Sequence, residues 1–377
     1  MSRDEGDVPH DPSVAAYKAA GLYDPAAPNA AERLALLEWL VGRGVTIEQM
    51  LRTRRPDGAL TGLAGDLVVN PGAHLRLADL AERAGLTVAK VEAIRHMVGL
   101  APVNPEELRF ADRDVQSFAA FAVSTQLFGE QATRHFGHVM GSSLARIAEA
   151  VVSMFLVNVE GPLREAHGTE LELAQANLRA TEAAEAVPSV LQSVFRAHLE
   201  ESIRRSRLAK QGTSVGTVWM AIGFIDLVGF TMLSRHMEPR ALADTVERFE
   251  SAAHEVATAK SGRVVKLIGD EVMFVAVDPA AACDIALTLV EHFAGDPAVT
   301  PRGGLAYGML INRGGDYYGS VVNLAARLAE LAVPNELLVT PELAAKARND
   351  RLRFEPAGKR LPKGFDEPVS LLTLERP

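Results

Sequence analysis

The stretch GRVVKLIGDEVMF, residues 262–274, carries the topology of this chain. Two runs of β-branched and aliphatic residues flank Gly269-Asp270, a dipeptide suited to a tight turn. The segment reads as a β-hairpin with Asp270 at its tip. Lys266 breaks the pattern. It interrupts a strand otherwise built of Val, Leu and Ile, and a lysine there needs a partner or an exit to solvent. A plain hairpin accounts for Asp270 as well as a functional role does; Lys266 is the sharper anomaly.

On the N-terminal side, residues 239–259 read as a helix, and Thr217–Ile225 as an apolar strand that ends at Asp226 and enters the turn Leu227–Thr231. On the C-terminal side follow helix 279–294, strand Gly304–Ile311, helix 320–332 and strand Leu337–Thr340. This βαββαβ order predicts an α+β, ferredoxin-like sheet with helices on one face. A carboxylate at a strand end before a Gly-containing turn lies near helix amides, which suit phosphate oxygens. A turn aspartate is the plainer account of Asp226. Asp226 and Asp270, on adjacent strand ends, form a pair able to share hard divalent cations, because Mg²⁺ takes one or two carboxylates together with phosphate oxygens and water. No His or Cys cluster has zinc-ligand spacing.

A third cluster, GGDYYGSVVNLAARL (314–328), is a Gly-rich loop running into a helix. Asn323 and Arg327 are i and i+4, hence on one helix face. The arginine fork suits phosphate oxygens. A solvated polar face explains the pair alone equally well.

The chain has 377 residues, too many for one ordinary core. Before residue 215 the apolar spacing is helical throughout. Residues 1–30, rich in Pro, Ala and Asp, predict a flexible arm; 31–190 an all-α domain; 191–214 a linker helix; and 215–377 the mixed domain. Within the helical half, Leu75–Leu100 reads as helix, turn at Gly85, helix. Residues 112–159 read as two long helices that frame either a lipid-sized pocket or a dimer core. Residues 171–210 read as helix with a break at Pro188. The segment 192–210 places Glu200 and Glu201 four residues before Arg204 and Arg205, which supports helix. Six histidines, His74, His96, His135, His138, His167 and His198, leave control by pH open.

A net charge of −9 argues against nucleic acid as partner, and the helix–turn–helix appearance of 75–100 lacks the basic footprint of a DNA-binding module. The single cysteine, Cys283, excludes an intrachain disulfide and suits a reducing compartment. The N-terminus has no signal-peptide pattern. The longest apolar run, Ala150–Val159, falls short of the roughly 20 residues a bilayer span needs. The expectation is a cytoplasmic protein without a transmembrane segment.

Together, FIDLVGFT (224–231), GRVVKLIGDEVMF (262–274) and GDYYGSVVNLAARL (315–328) resemble, in order and spacing, the catalytic domain of class III nucleotide cyclases. The likeness covers roughly residues 217–377. The helical half resembles, in arrangement more than in motif, the regulatory domain of actinobacterial adenylyl cyclases. The resemblance implies an adenylate cyclase that converts ATP to 3′,5′-cyclic AMP and pyrophosphate. It implies that Asp226 and Asp270 hold two divalent cations per site, Mg²⁺ or Mn²⁺. Lys266 would donate to adenine N1 and Asp316 would accept from the 6-amino group. Asn323 would orient the ribose, Arg327 would stabilise transition-state charge, and Lys363 in RLPKGFDEPVSLL would contact phosphates. Because Lys266 and Asp270 share one hairpin yet serve opposite ends of ATP, the family's head-to-tail homodimer is implied. The competing readings are a catalytically inactive cyclase-fold sensor or scaffold, a DNA-binding regulator, and a diguanylate cyclase, whose hairpin signature Gly314-Gly315-Asp316 partly matches. Against the last, Tyr317-Tyr318 follow, and the segment leads into a helix rather than sitting in a hairpin.

Overall fold

The computed structural model describes residues 14–53, 59–69, 72–212, 214, 216–230, 237–296 and 299–377. Residues 1–13 of the expected arm, Thr213 of the expected linker, and Thr231 of the first motif lie outside the described residues. The chain divides into two compact units, Met1–Phe195 and Arg196–Pro377.

The first unit is helical. Its elements are α1 (Val14–Ala19), α2 (Ala30–Gly42), α3 (Ile47–Thr53), α4 (Leu63–Val69), α5 (Leu77–Arg83), α6 (Val88–Met97), α7 (Asp112–Phe128), α8 (Glu130–Phe155), α9 (Gly161–Glu165) and α10 (Glu170–Ala184). A further helix, α11 (Val187–Leu208), spans the division. The expectation of a flexible arm as far as residue 30 is corrected. Tyr17 in α1 and Leu22 after it are buried against Leu36, Leu37 and Leu40 of α2. So short a helix is marginal by itself, and burial of an aromatic side chain is what holds it. The break near Pro188 falls two residues earlier: α10 ends at Ala184, and Pro188 sits in the first turn of α11, where no helical N–H is lost. In α11, Glu201 accepts from both Arg204 and Arg205, at 2.8 and 3.1 Å.

α8 continues through a π-helical turn, Leu156–Glu160, into α9. Among the described residues, the run Glu130–Glu165 is long and apolar enough, by length and composition alone, to cross a membrane. It exceeds the 150–159 run chiefly on its N-terminal side, and at Asn158, in the π-helical turn, the side-chain amide donates back to the Met154 carbonyl at 2.8 Å. These apolar helices carry two further features. A cavity of about 750 Å³ is lined by Leu144, Ile147, Val151, Phe155, Ala180 and Leu191. On the outer surface, Val123, Leu127, Phe128, Phe136 and Met154 remain exposed.

The second unit is built on β1 (Lys210–Gln211), β2 (Thr217–Val228), β3 (Gly262–Ile268), β4 (Glu271–Ala276), β5 (Thr300–Arg313), β6 (Asp316–Tyr318), β7 (Leu337–Val339), β8 (Arg353–Arg360) and β9 (Val369–Glu375). The sheet order is β3-β4-β2-β5-β7-β9-β8, with β1 added to β2 and β6 to β5. All pairings are antiparallel except β5 with β7. Four helices accompany it: α12 (Pro239–Ala259), α13 (Pro279–His292), α14 (Ser320–Leu331) and α15 (Pro341–Ala347).

The one-faced layering expected from sequence is corrected. Ala221, Ile225 and Leu227 of β2 pack with Phe249 of α12, Ile285 of α13 and Leu343 of α15. Val218, Met220, Ile222 and Phe224 face the other way and pack with Val322, Ala325 and Ala329 of α14. A strand covered on both faces is apolar along its whole length, which is why β2 shows no alternation. α14 lies close on β5 because Gly304 makes room for it: a Cβ there would sit 2.3 Å from the Ala325 oxygen and the Ala329 nitrogen. The single thiol, Cys283, is buried in α13, and burial pushes its pKa up to about 12.

Candidate active site

β2 and the β3–β4 hairpin bring two carboxylates to one end of the sheet. Asp226 is the cross-strand partner of Glu271 on one side and of Arg302 on the other. The Leu227 N–H donates to the Asp270 carbonyl at 3.2 Å, tying the hairpin tip to the end of β2. Burial, with the Asp226 charge beside it, holds the Asp270 carboxyl above its ordinary range. Glu271 is pushed up to about 7, first by burial and then by Asp226, Glu330 and Asp270. So much negative potential at one strand end calls for a cation.

One cation there is Arg302, which sequence reading missed. Its Nε and Nη2 donate to Asp226 Oδ2 at 3.0 and 2.8 Å. Its Nη1 donates to the Glu330 and Ala332 carbonyls at 2.8 and 3.1 Å, at the end of α14. One guanidinium thus neutralises Asp226 and satisfies carbonyls that a helix terminus leaves open. The signal was present in the sequence. Arg302 interrupts an apolar strand just as Lys266 does.

Among the described residues, no group of three or more His, Cys, Asp or Glu side chains is arranged to hold a metal unaided. Two carboxylates that repel each other still fit Mg²⁺ or Mn²⁺, provided phosphate oxygens and water complete the shell.

The second cluster forms around β6. Lys266 Nζ donates to Asp316 Oδ2 at 2.6 Å, joining residues 50 positions apart in the chain. Asp316 Oδ1 accepts from the Tyr317 N–H at 2.8 Å. Lys266 therefore has its partner, and the anomaly in β3 is resolved. Gly314-Gly315 form the turn between β5 and β6, with Arg313 opposite Asp316, and α14 starts two residues after β6. The expectation that this segment lies outside a hairpin is corrected; it is a hairpin and it also leads into a helix.

α14 buries Val322, Ala325, Leu328 and Ala329 and leaves Asn323 exposed and Arg327 half-buried on the opposite ridge. Arg327 donates to Glu330 one turn on. Lys363 is exposed in the loop between β8 and β9, at the sheet edge opposite β3. Six of the seven sequence candidates thus fall into three groups, the carboxylates, the Lys266–Asp316 pair and the α14 ridge, and Lys363 stands apart.

Glu271 yields a pH test. A carboxyl whose folded pKa is raised costs nothing below its unfolded value, near 4.5, and its full penalty is reached above about 7. In EDTA, Glu271→Gln is expected to raise the thermal midpoint by a few degrees at pH 8 and to change it little at pH 5. Equal shifts at both pH values would mean the carboxyl is not under this strain.

Residues 17–203 match the adenylate cyclase regulatory domain, and residues 214–371 match the adenylate and guanylate cyclase catalytic domain. An uncharacterized protein of Mycobacterium tuberculosis is 34% identical over 364 residues, covering 95% of this chain and 93% of that one. An adenylate cyclase of Streptomyces coelicolor is 33% identical over 284 residues, covering 75% of this chain and 67% of that one. The crystal structure of the adenylyl cyclase CyaB from P. aeruginosa aligns with a TM-score of 0.39 at 24% identity, over 43% of this chain and 95% of that one. The chain belongs to the class III adenylate cyclase family, with a helical regulatory domain ahead of the cyclase catalytic domain.

Proposed function

We propose that the protein works as a head-to-tail homodimer that converts ATP to 3′,5′-cyclic AMP and pyrophosphate, under control of its helical N-terminal domain. The observation that carries this reading is the Lys266–Asp316 pair, a donor beside an acceptor at 2.6 Å. Adenine offers the complementary pattern, with N1 accepting and the 6-amino group donating. Guanine reverses it, and a site that hydrogen-bonds one pattern penalises the other.

Asp226 and Asp270 hold the two divalent cations. When bound, these supply charge neutralisation on the triphosphate and acidify the ribose 3′-hydroxyl. The protein groups do the rest. Asn323 orients the ribose so that the 3′-oxygen lies in line with the α-phosphorus, and Arg327 meets the charge that builds on the phosphate oxygens. Lys363 contacts the phosphates from its loop. Arg302, which balances Asp226 in the free protein, keeps that carboxylate fixed until a cation takes up the charge.

Homodimerisation rests on two observations. Lys266 lies within β3 and Asp270, four positions on, in the turn that joins β3 to β4, so both belong to one hairpin. A single copy therefore presents purine-reading and cation-holding groups at different places, and a second copy completes each site. The exposed apolar side chains of α7 and α8, such as Leu127, Phe128 and Met154, are suited to burial against that copy.

Mixing is the test. Asp226→Ala and Lys266→Ala each disable both sites of their own homodimer. In a mixed dimer one site carries both defects and the other carries none. Re-associated in equal amounts, the two inactive variants are expected to recover about a quarter of wild-type cyclic AMP output, since half the dimers are mixed and each has one intact site. A mixture no more active than its components would refute the shared-site arrangement.

A further inference from the structure

We propose that Arg263 is a positioning residue for purine selection, a clamp that grips the residues on either side of Asp316 and so holds its carboxylate toward Lys266. This rests on the proposed role of Lys266 and Asp316 as the purine-reading pair. Arg263 Nη2 donates to the Gly315 carbonyl at 2.8 Å. Its guanidinium carbon lies 5.6 Å from the centroid of the Tyr317 ring, within cation–π range. Asp316 sits between these two contacts.

The hairpin that carries Asp316 needs such a hold. β6 has three residues and pairs with β5. Its turn consists of Gly314 and Gly315, at φ +62° and +81°, the left-handed pair of a two-residue hairpin. Two glycines in sequence give this turn the least backbone restriction available. The Tyr317 N–H holds Asp316 Oδ1 locally, but both partners ride on the same short hairpin, so the angle at which that hairpin presents Asp316 to Lys266 needs a hold from outside it. The long arginine side chain from β3 supplies the missing constraint.

A β-bulge makes the reach possible. In a regular strand, residues three apart point to opposite faces. Arg263 and Lys266 are three apart, yet Arg263 lies opposite Val275 and Lys266 opposite Met273, two positions apart in β4, with the register shift between Val264 and Lys266. Val275 and Met273 belong to the same core face. The extra residue thus turns both basic side chains toward β6. Lysine brings one point charge to Asp316. Arginine brings a planar fork that can hold a carbonyl while lying against a ring. The two are not interchangeable. Arg263, Gly315 and Tyr317 together border a cavity of about 280 Å³ shared with His198, Ser202 and Arg205. Truncation of Arg263 therefore opens space beside an existing void rather than in the packed core.

The test combines kinetics with hydrogen exchange in the full-length enzyme. Arg263→Ala is expected to raise KM for ATP about 10-fold, the combined loss of one charge-assisted hydrogen bond and one cation–π contact. Its kcat is expected to stay within about threefold of wild type, because no reacting atom is touched. The preference for ATP over GTP falls, and amide exchange in a peptide covering residues 314–318 accelerates while β2 keeps its protection. Arg263→Lys, which retains the charge without the fork, is expected to lie between the two. An unchanged KM and nucleotide preference, or a fall in kcat alone, overturns the proposal. So does loss of protection across the whole sheet, which would mark a merely structural role. Lys266→Ala, run alongside, separates the two levels of inference. If it turns ATP over as the wild type does, the reading of the pair fails. The exchange of residues 314–318 in Arg263→Ala then still decides whether the clamp exists.

Discussion

Asp226→Ala is expected to lower cyclic AMP formation about 1,000-fold or more, because metal-assisted neutralisation of phosphate charge supplies several kcal/mol and each 1.36 kcal/mol is a factor of ten. The fold survives the change. Asp226 is at a strand end, its side chain 20% exposed, and Arg302 keeps its bonds to the Glu330 and Ala332 carbonyls. Binding of Mn²⁺, followed by calorimetry with a non-hydrolysable ATP analogue, should weaken in parallel. Asp226→Asn isolates charge from shape and is expected to fall nearly as far, since an amide is a poor ligand for a hard cation. Turnover at the wild-type rate in either variant would remove Asp226 from the cation site.

The second large effect concerns the base. Lys266→Glu combined with Asp316→Cys replaces a donor facing an acceptor by the opposite order. Each mismatched hydrogen bond to a charged group is worth about 1.5–3 kcal/mol, so with two of them kcat/KM for ATP is expected to fall about 100- to 10,000-fold while that for GTP rises. The pair makes the double change informative. In the free protein Lys266 and Asp316 satisfy each other at 2.6 Å, so altering only one leaves the other charge without its partner. Competition between ATP and GTP, read as cyclic AMP against cyclic GMP, is the measurement. An unaltered product ratio would assign base recognition elsewhere.

Most of the mixed domain was legible because its elements announce themselves chemically. The helix from Pro239 and the one from Pro279 each begin with proline in the first turn, and the ends of β2 and β3 are marked by Gly229 and Gly269. What escaped did so for physical reasons. β5 begins at Thr300, four residues earlier than its apolar pattern suggests, because Arg302 and two glycines disguise its first half. The C-terminal hairpin of β8 and β9 was missed because charged residues and Pro356 hide the alternation of β8, which also carries a bulge between Pro356 and Gly358. α15 has a Thr340 cap and Pro341 at its start, a helix-start signal that the sequence does carry. The side of the sheet on which α14 lies is different in kind. An apolar helix face tells that a helix packs, and not on which face of a sheet it does so.

The candidate residues divide in the same way. Lys266 was conspicuous because charge inside an apolar strand demands an explanation. Arg302 meets the same criterion, but the glycines beside it make its strand hard to see. Arg263 gave no such signal: a charged residue at the start of a strand is ordinary, and only the bulge aims it at the neighbouring turn. Long-range pairings of this kind, 76 residues for Arg302 with Asp226 and 52 for Arg263 with Gly315, are properties of topology.

The silence of Cys283 has a practical corollary for anyone wishing to follow this molecule at work. A thiol so thoroughly enclosed, and so reluctant to ionise, offers maleimides and spin labels no nucleophile in the native state. One cysteine engineered on the surface would therefore be the sole attachment point on each chain, without prior removal of the natural one. Paired labels on the proposed homodimer could then report the distance between its two copies as nucleotide and metal are added.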